Sequence, residues 1–145
     1  MPDPRSLLIV LDTNVLVSAL LKRASKPGQV LDLVMAGKIR LALDMRMLQE
    51  YQVVCGRPKF DINQSDAAAV LAYLQVTGLR VDMSGSYSNV PQMIDPSDQP
   101  FADVAVASQV DVLVTGNIRH FAGLDQVGVP VQTPAQFLGF FASFA

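Results

Sequence analysis

The chain has very little of the chemistry that marks most metal or redox proteins. In 145 residues there is one cysteine, Cys55, and one histidine, His120. A lone cysteine excludes an internal disulfide framework and any thiolate-clustered zinc or iron–sulfur site. A lone histidine excludes a multi-histidine metal centre. Charge is also sparse, at 17% of residues, with 11 basic against 13 acidic side chains and a net charge of −2, so the basic footprint common among nucleic-acid binders is missing. Among the acids there is a single glutamate, Glu50, beside twelve aspartates. The longest apolar runs, Leu7 to Leu11 and Val15 to Leu21, fall short of a bilayer span, and no basic start with an apolar block and cleavage site opens the chain. A cytoplasmic protein that neither spans nor enters a membrane is expected.

What is present is a well-filled core in a chain of single-domain length. Half of the residues are hydrophobic and the mean hydropathy is +0.32, which argues against disorder. Residues 1–145 are therefore expected to form one domain. Leu7 to Leu11 reads as a strand buried on both faces. Val15 to Lys22 has helical spacing, Ser25-Lys26-Pro27-Gly28 reads as a loop, and a second helix follows through Val30, Leu31, Val34 and Met35. Ile39 to Leu43 reads as a strand, with Asp44 as N-cap of a helix carrying Leu48, Tyr51 and Cys55. Arg57-Pro58-Lys59-Phe60 breaks the pattern before a helix from Asn63 to Thr77, stopped by Gly78. Leu79 to Met83 reads as a third strand, residues 84–100 as a long irregular segment, and Phe101 to Gln109 as a helix. Val112 to Val114 and Val129 to Val131 read as two further strands, the latter at an edge because of Pro130. A final helix carries Phe137, Phe140, Phe141 and Phe144. Strands alternating with helices predict an α/β fold with three layers, α/β/α, around a mostly parallel sheet of about five strands.

In such sheets the functional crevice lies beyond the carboxyl ends of the strands. Asp12 directly follows the first strand, Asp98 precedes a late helix, and Glu50 lies about two turns into the helix after the second strand. Taken singly, Asp12 and Asp98 read as helix caps and Glu50 as a solvated helix residue. Converging carboxylates would raise one another's pKa unless a cation relieved them. Oxygen donors without a cysteine or histidine cluster select Mg²⁺ or Mn²⁺.

Asp12-Thr13-Asn14-Val15, Glu50-Tyr51, Asp95-Pro96-Ser97-Asp98 and Val114-Thr115-Gly116-Asn117 resemble, in order and spacing, the motifs of PIN-domain nucleases. Arg57 to Phe60, Arg119-His120-Phe121 and Thr133 to Leu138 further resemble the branch formed by toxins of toxin–antitoxin pairs. The resemblance spans Leu7 to Leu138 and implies metal-dependent cleavage of RNA. It assigns Asp12, Glu50 and Asp98 as catalytic acids and metal ligands, with Asn14 and Thr115 in support. It also implies an RNA substrate and an antitoxin partner. Asn117 departs from the pattern, because many members carry an aspartate there. As a ligand it offers a carbonyl oxygen without charge, so metal affinity is expected to be lower. Asp103 or Asp125 are the candidates to compensate, although Asp103 stands five residues beyond Asp98 and faces away if both are helical.

Other features are weaker. Lys22, Arg23 and Lys26 form the only compact basic cluster, a candidate RNA-binding patch that also fits an ordinary solvated helix end. Arg57, Lys59 and Arg119 are alternatives, and His120 reads most simply as a surface loop residue, with an acid or hydrogen-bond donor role near the active face as its functional alternative. Cys55 reads as core. The phenylalanine stripe reads as packing of the last helix, while also permitting a homodimer or partner surface. A phospho-acceptor receiver module is disfavoured, since Asp12 has no acidic neighbour and no lysine follows Lys59. No G-x-G-x-x-G or G-x-x-x-x-G-K-[ST] loop occurs. The remaining rival is a PIN-shaped RNA- or protein-binding module with weak or no catalysis, motivated by Asn117.

Overall fold

The computed structural model describes residues 6–82 and 89–144. Within them are strands β1 (Leu7–Leu11), β2 (Ile39–Leu43), β3 (Leu79–Arg80), β4 (Val112–Val114) and β5 (Val131–Gln132). The helices are α1 (Thr13–Leu21), α2 (Lys26–Met35), α3 (Met45–Cys55), α4 (Gln64–Thr77), α5 (Gln99–Ala107) and α6 (Pro134–Ala142). The strands form one sheet in the order β3-β2-β1-β4-β5, and every pairing is parallel. The mostly parallel α/β sheet expected from the sequence is thus wholly parallel.

Strand β1 lies at the centre, pairing Ile9 with Leu41 of β2 on one side and with Val112 of β4 on the other. Neighbouring residues on a strand point to opposite faces. Ile9, Val10 and Leu11 are all fully buried, so helices cover the sheet on both sides and the α/β/α layering follows. The chain leaves β1 towards β2 and β3, then returns to place β4 on the opposite flank. The order therefore reverses between β1 and β4, and their carboxyl ends open a crevice there.

Helix starts are set by caps. Asp12, Ser25, Asp44, Asn63 and Thr133 each accept a backbone N–H of the helix they begin. The Ser25 to Gly28 segment, expected as a loop, is instead the cap and first turn of α2. Ser25 Oγ accepts the Gly28 N–H, and Pro27 sits where no helical donor is needed. Helix α5 also starts earlier than expected, at Gln99, led in by a 3₁₀ turn over Pro96–Asp98. Strand β3 is shorter than expected, although the Val81 N–H still donates to the Leu43 carbonyl at 2.9 Å. Met83, and the part of the irregular segment up to Ser88, lie outside the described residues.

The core runs along both faces of β1 and includes Tyr51, Phe101 and Phe137, with Tyr51 and Phe101 rings 6.0 Å apart. Cys55 is buried among them, as expected. Phe137 is fully buried and Phe140 and Phe141 pack partly against the core, so the stripe does serve packing; Phe144, beyond α6, is exposed. Among the described residues no helix is long and apolar enough to cross a membrane.

Candidate active site

The crevice between β1 and β4 is built on Asp12. Its backbone N–H continues the ladder by donating to the Val114 carbonyl at 2.9 Å, which locks the end of β1 to the end of β4. Its carboxylate is buried and doubly held. Oδ1 accepts the Thr13 N–H at 2.9 Å, and Oδ2 accepts the Thr115 hydroxyl at 2.8 Å. Asp12 is therefore a helix cap and a crevice residue at once. Burial raises its pKa, opposed by the Thr115 and Thr13 hydrogen bonds and reinforced by the charge of Glu50.

Glu50 reaches the same place from α3, where its Oε2 accepts the Thr13 hydroxyl. The adjacent Tyr51 is fully buried and donates its hydroxyl to the Leu11 carbonyl at 2.5 Å, pinning α3 to the last residue of β1. Burial, with the nearby charges of Asp12 and Glu50, holds the Tyr51 phenol well above its ordinary pKa.

Asp98 completes the acidic group from the 3₁₀ turn before α5. The expected cap role is not realised, because its side chain makes no cap hydrogen bond. Asp95 fills that role by accepting both the N–H and the hydroxyl of Ser97. Asp98 is only 9% exposed, and its Oδ2 has no hydrogen-bond partner among the described residues. Burial is the main cause of a pKa raised to about 6, with Asp12, Asp95 and Glu50 adding repulsion and His120 opposing it. His120 Nδ1 lies 3.6 Å from that oxygen, too far for a hydrogen bond but close enough to pair when protonated. His120 is thus both an exposed loop residue, the simpler of its two readings from the sequence, and a neighbour of an acid of the crevice, as the other reading had it.

Thr115 is a fully buried node, donating to Asp12 and accepting the Asn117 N–H at 3.0 Å. Asn14 braces the other side, its Oδ1 accepting the Gly116 N–H at 3.4 Å. Asn117 takes part through its backbone, is exposed, and makes no side-chain hydrogen bond among the described residues. Asp103 is turned elsewhere. It accepts from Arg46 at 3.3 Å and from Gln99 at 3.0 Å, and is not among the charges acting on Asp12 or Asp98. Arg46 also holds Asp44 at 2.8 Å. Asp125 is exposed and borders a separate hollow with Arg119. In the basic cluster, Arg23 is paired with Asp32 at 2.7 Å, Lys22 closes α1, and Lys26 alone borders a hollow shared with Asn14. Lys59 lies over the Phe60 ring, 5.0 Å from its centre.

Thr13 and Tyr51 were quoted in the sequence motifs without a role, yet they hold Glu50 and the end of β1. The adjacency of Thr13 to Asp12 and of Tyr51 to Glu50 was the available signal. Among the described residues no three acidic, histidine or cysteine side chains are already gathered as a metal cage. By donor type the acidic group nevertheless fits a hard divalent cation. All its donors are oxygens, and one buried carboxylate oxygen has no hydrogen-bond partner among the described residues.

Comparison with known proteins places this geometry. A PIN domain family profile matches residues 8–119, which contain Asp12, Glu50, Asp98, Thr115 and Asn117. An uncharacterized protein of Methanocaldococcus jannaschii is 26% identical over 144 residues, covering 94% of this chain and 92% of that protein. The crystal structure of VapBC2 from Rickettsia felis bound to a DNA fragment from their promoter is similar in fold. It aligns with a TM-score of 0.60 at 20% identity, covering 88% of this chain and 98% of that one. With the profile spanning most of its length, and every acid of the β1–β4 crevice inside that span, the chain belongs to the PIN domain family.

Proposed function

We propose that the chain is a metal-dependent endoribonuclease that hydrolyses RNA phosphodiester bonds. We further propose that it acts as a single PIN-like domain over residues 1–145, as the toxin of a cytoplasmic toxin–antitoxin pair. PIN domains are in general nucleases that use divalent metals, and membership of the family supports that class of activity. The observation that carries the reading for this chain is the buried Asp98 oxygen, without a hydrogen bond among the described residues, beside Asp12 and Glu50 at the sheet's reversal point. Evolution rarely leaves an ionisable oxygen buried and unsatisfied without a ligand or a reaction to serve.

In this reading Asp12, Glu50 and Asp98 would hold Mg²⁺ or Mn²⁺, with Asn117 as a weak neutral ligand. When bound, the ion polarises the phosphate and lowers the pKa of a water. The chain's own residues do the rest. Thr115 fixes one oxygen of Asp12 and Thr13 fixes Glu50, so neither carboxylate can rotate away. Asn14 and Gly116 brace the loops that follow β1 and β4. His120, half exposed beside Asp98, is placed to meet a substrate phosphate as a donor. Asp103 is already neutralised by Arg46 and contributes nothing to the pocket. An antitoxin and a second copy of the chain are the proposed protein partners; the VapBC2 neighbour and the exposed Phe144 support them respectively.

The test is Mn²⁺ and Mg²⁺ binding by calorimetry together with cleavage of structured RNA, for wild type, Asp12→Asn and Asp98→Asn. Loss of both activities in the variants is expected. A wild type that binds neither ion at millimolar concentration would leave the rival reading, a PIN-shaped binding module. That rival is favoured by the neutral, unengaged Asn117 side chain. Asn117→Asp separates the two: a gain in metal affinity and cleavage marks an attenuated nuclease.

A further inference from the structure

The carboxyl edge of the sheet carries a second hollow beside the acids. It is an open hollow of about 350 Å³ between the N-terminal halves of α1, α2 and α6. Asn14 and Gly116, joined by their 3.4 Å hydrogen bond, line it, and they tie it to the acidic crevice. Asn14 stands two residues after Asp12, and Gly116 directly follows the Thr115 that holds Asp12. The hollow is otherwise mostly apolar, with Pro27 of α2 and Pro134 of α6 among its walls. Among the described residues Lys26 is the one charged side chain lining it, and no acid does.

Three properties select an occupant. A volume of this size suits a nucleoside-sized ligand rather than a long peptide. Apolar walls suit the face of a base, which side chains hold by stacking once it is free of a duplex. A single cation at the rim, in a chain whose neighbouring Arg23 is already paired with Asp32, suits one phosphate. We infer that this hollow is the subsite for the unpaired nucleotide next to the scissile phosphodiester, its base against Pro27 and Pro134 and its phosphate on Lys26. The inference rests on the nuclease reading and extends it, because it makes the substrate single-stranded at that position. A paired base would first have to be unpaired and unstacked to enter, which favours a nucleotide that is already single-stranded.

Ala135 is exposed at the start of α6 and lines the hollow, so Ala135→Trp fills the space from the surface without entering the core. Ser18→Trp, also at an exposed lining position, repeats the block from α1. The probe is a fluorescein-labelled single-stranded hexaribonucleotide, followed by anisotropy in EDTA and then by cleavage with Mn²⁺. Thermal melts and Mn²⁺ calorimetry verify that fold and acids are intact. Either tryptophan is expected to weaken binding about tenfold and raise KM with little change in kcat, and Lys26→Ala to weaken it about threefold. A wild type that does not bind the hexamer overturns the subsite, as does unchanged binding in both tryptophan variants. Binding that the tryptophans abolish, in a wild type that cleaves nothing, keeps the subsite and removes the nuclease reading instead.

Discussion

At the scale of the residue, Asp98 is where stability and proposed activity pull apart. Its carboxyl is raised from the ordinary 3.8 to about 6, chiefly by burial and then by its acidic neighbours. A raised pKa means the native state binds the proton more tightly than the unfolded chain. The associated stability is therefore full below about pH 4 and is lost as pH rises through 6. At pH 7.5 the metal-free protein carries that charge at a cost. Asp98→Asn removes it, and with solvent screening at the open crevice taken into account the variant should be about 1–2 kcal/mol more stable in EDTA. Urea unfolding from pH 4 to 8 checks this, and the gap between the proteins should close towards pH 4. Saturating Mn²⁺ should stabilise wild type and not the variant, by the usual linkage of ligand binding to unfolding. A variant less stable than wild type in EDTA would mean that Asp98 is a structural group after all.

At the scale of the element, what was legible was what local sequence determines. The apolar runs of β1, β2 and β4 fall where the sequence places them, and so do the Asp12 and Asp44 caps. The site was legible to the same depth, since acids that follow parallel strands must gather at one edge. Features set by tertiary neighbours were not legible. Nothing local says that Asp98 lacks a partner, that Thr13 holds Glu50, or that Arg46 takes Asp103 out of play. Gly78 makes the same point. It ends α4 as expected, but with φ −69°, a backbone that any residue can adopt. Its necessity is space: a Cβ there would stand 2.4 Å from Leu43 Cδ2 and 2.6 Å from the Leu74 carbonyl oxygen. Gly78→Ala is thus expected to push α4 off β2 and cost about 1–3 kcal/mol in urea unfolding. Metal affinity should survive, because the acids sit on β1, α3 and the turn before α5. A neutral Gly78→Ala would mean that α4 and β3 shift easily and that this contact is slack.

At the scale of the whole molecule, a net charge of −2 is an odd balance for a protein proposed to bind RNA, and the distribution of charge resolves it. Two of the arginines are consumed internally, Arg23 by Asp32 and Arg46 by Asp44 and Asp103. Arg40 and Arg80 belong to β2 and β3, the flank of the sheet away from β4 and β5. Among the described residues, the cations that line the hollows along the β1–β4–β5 edge are Lys26 and Arg119. Recognition there must rest on the metal and on a seated base more than on counterion release. Each phosphate neutralised on a single strand contributes a slope of about −0.7 in log K against log salt. Two contacts therefore predict a shallow slope of about −1.4 for the single-stranded hexamer, falling to about −0.7 in Lys26→Ala. Anisotropy between 50 and 300 mM salt measures both. A slope steeper than about −3 would require a basic surface that this edge does not have, and RNA would then be bound on another face of the molecule.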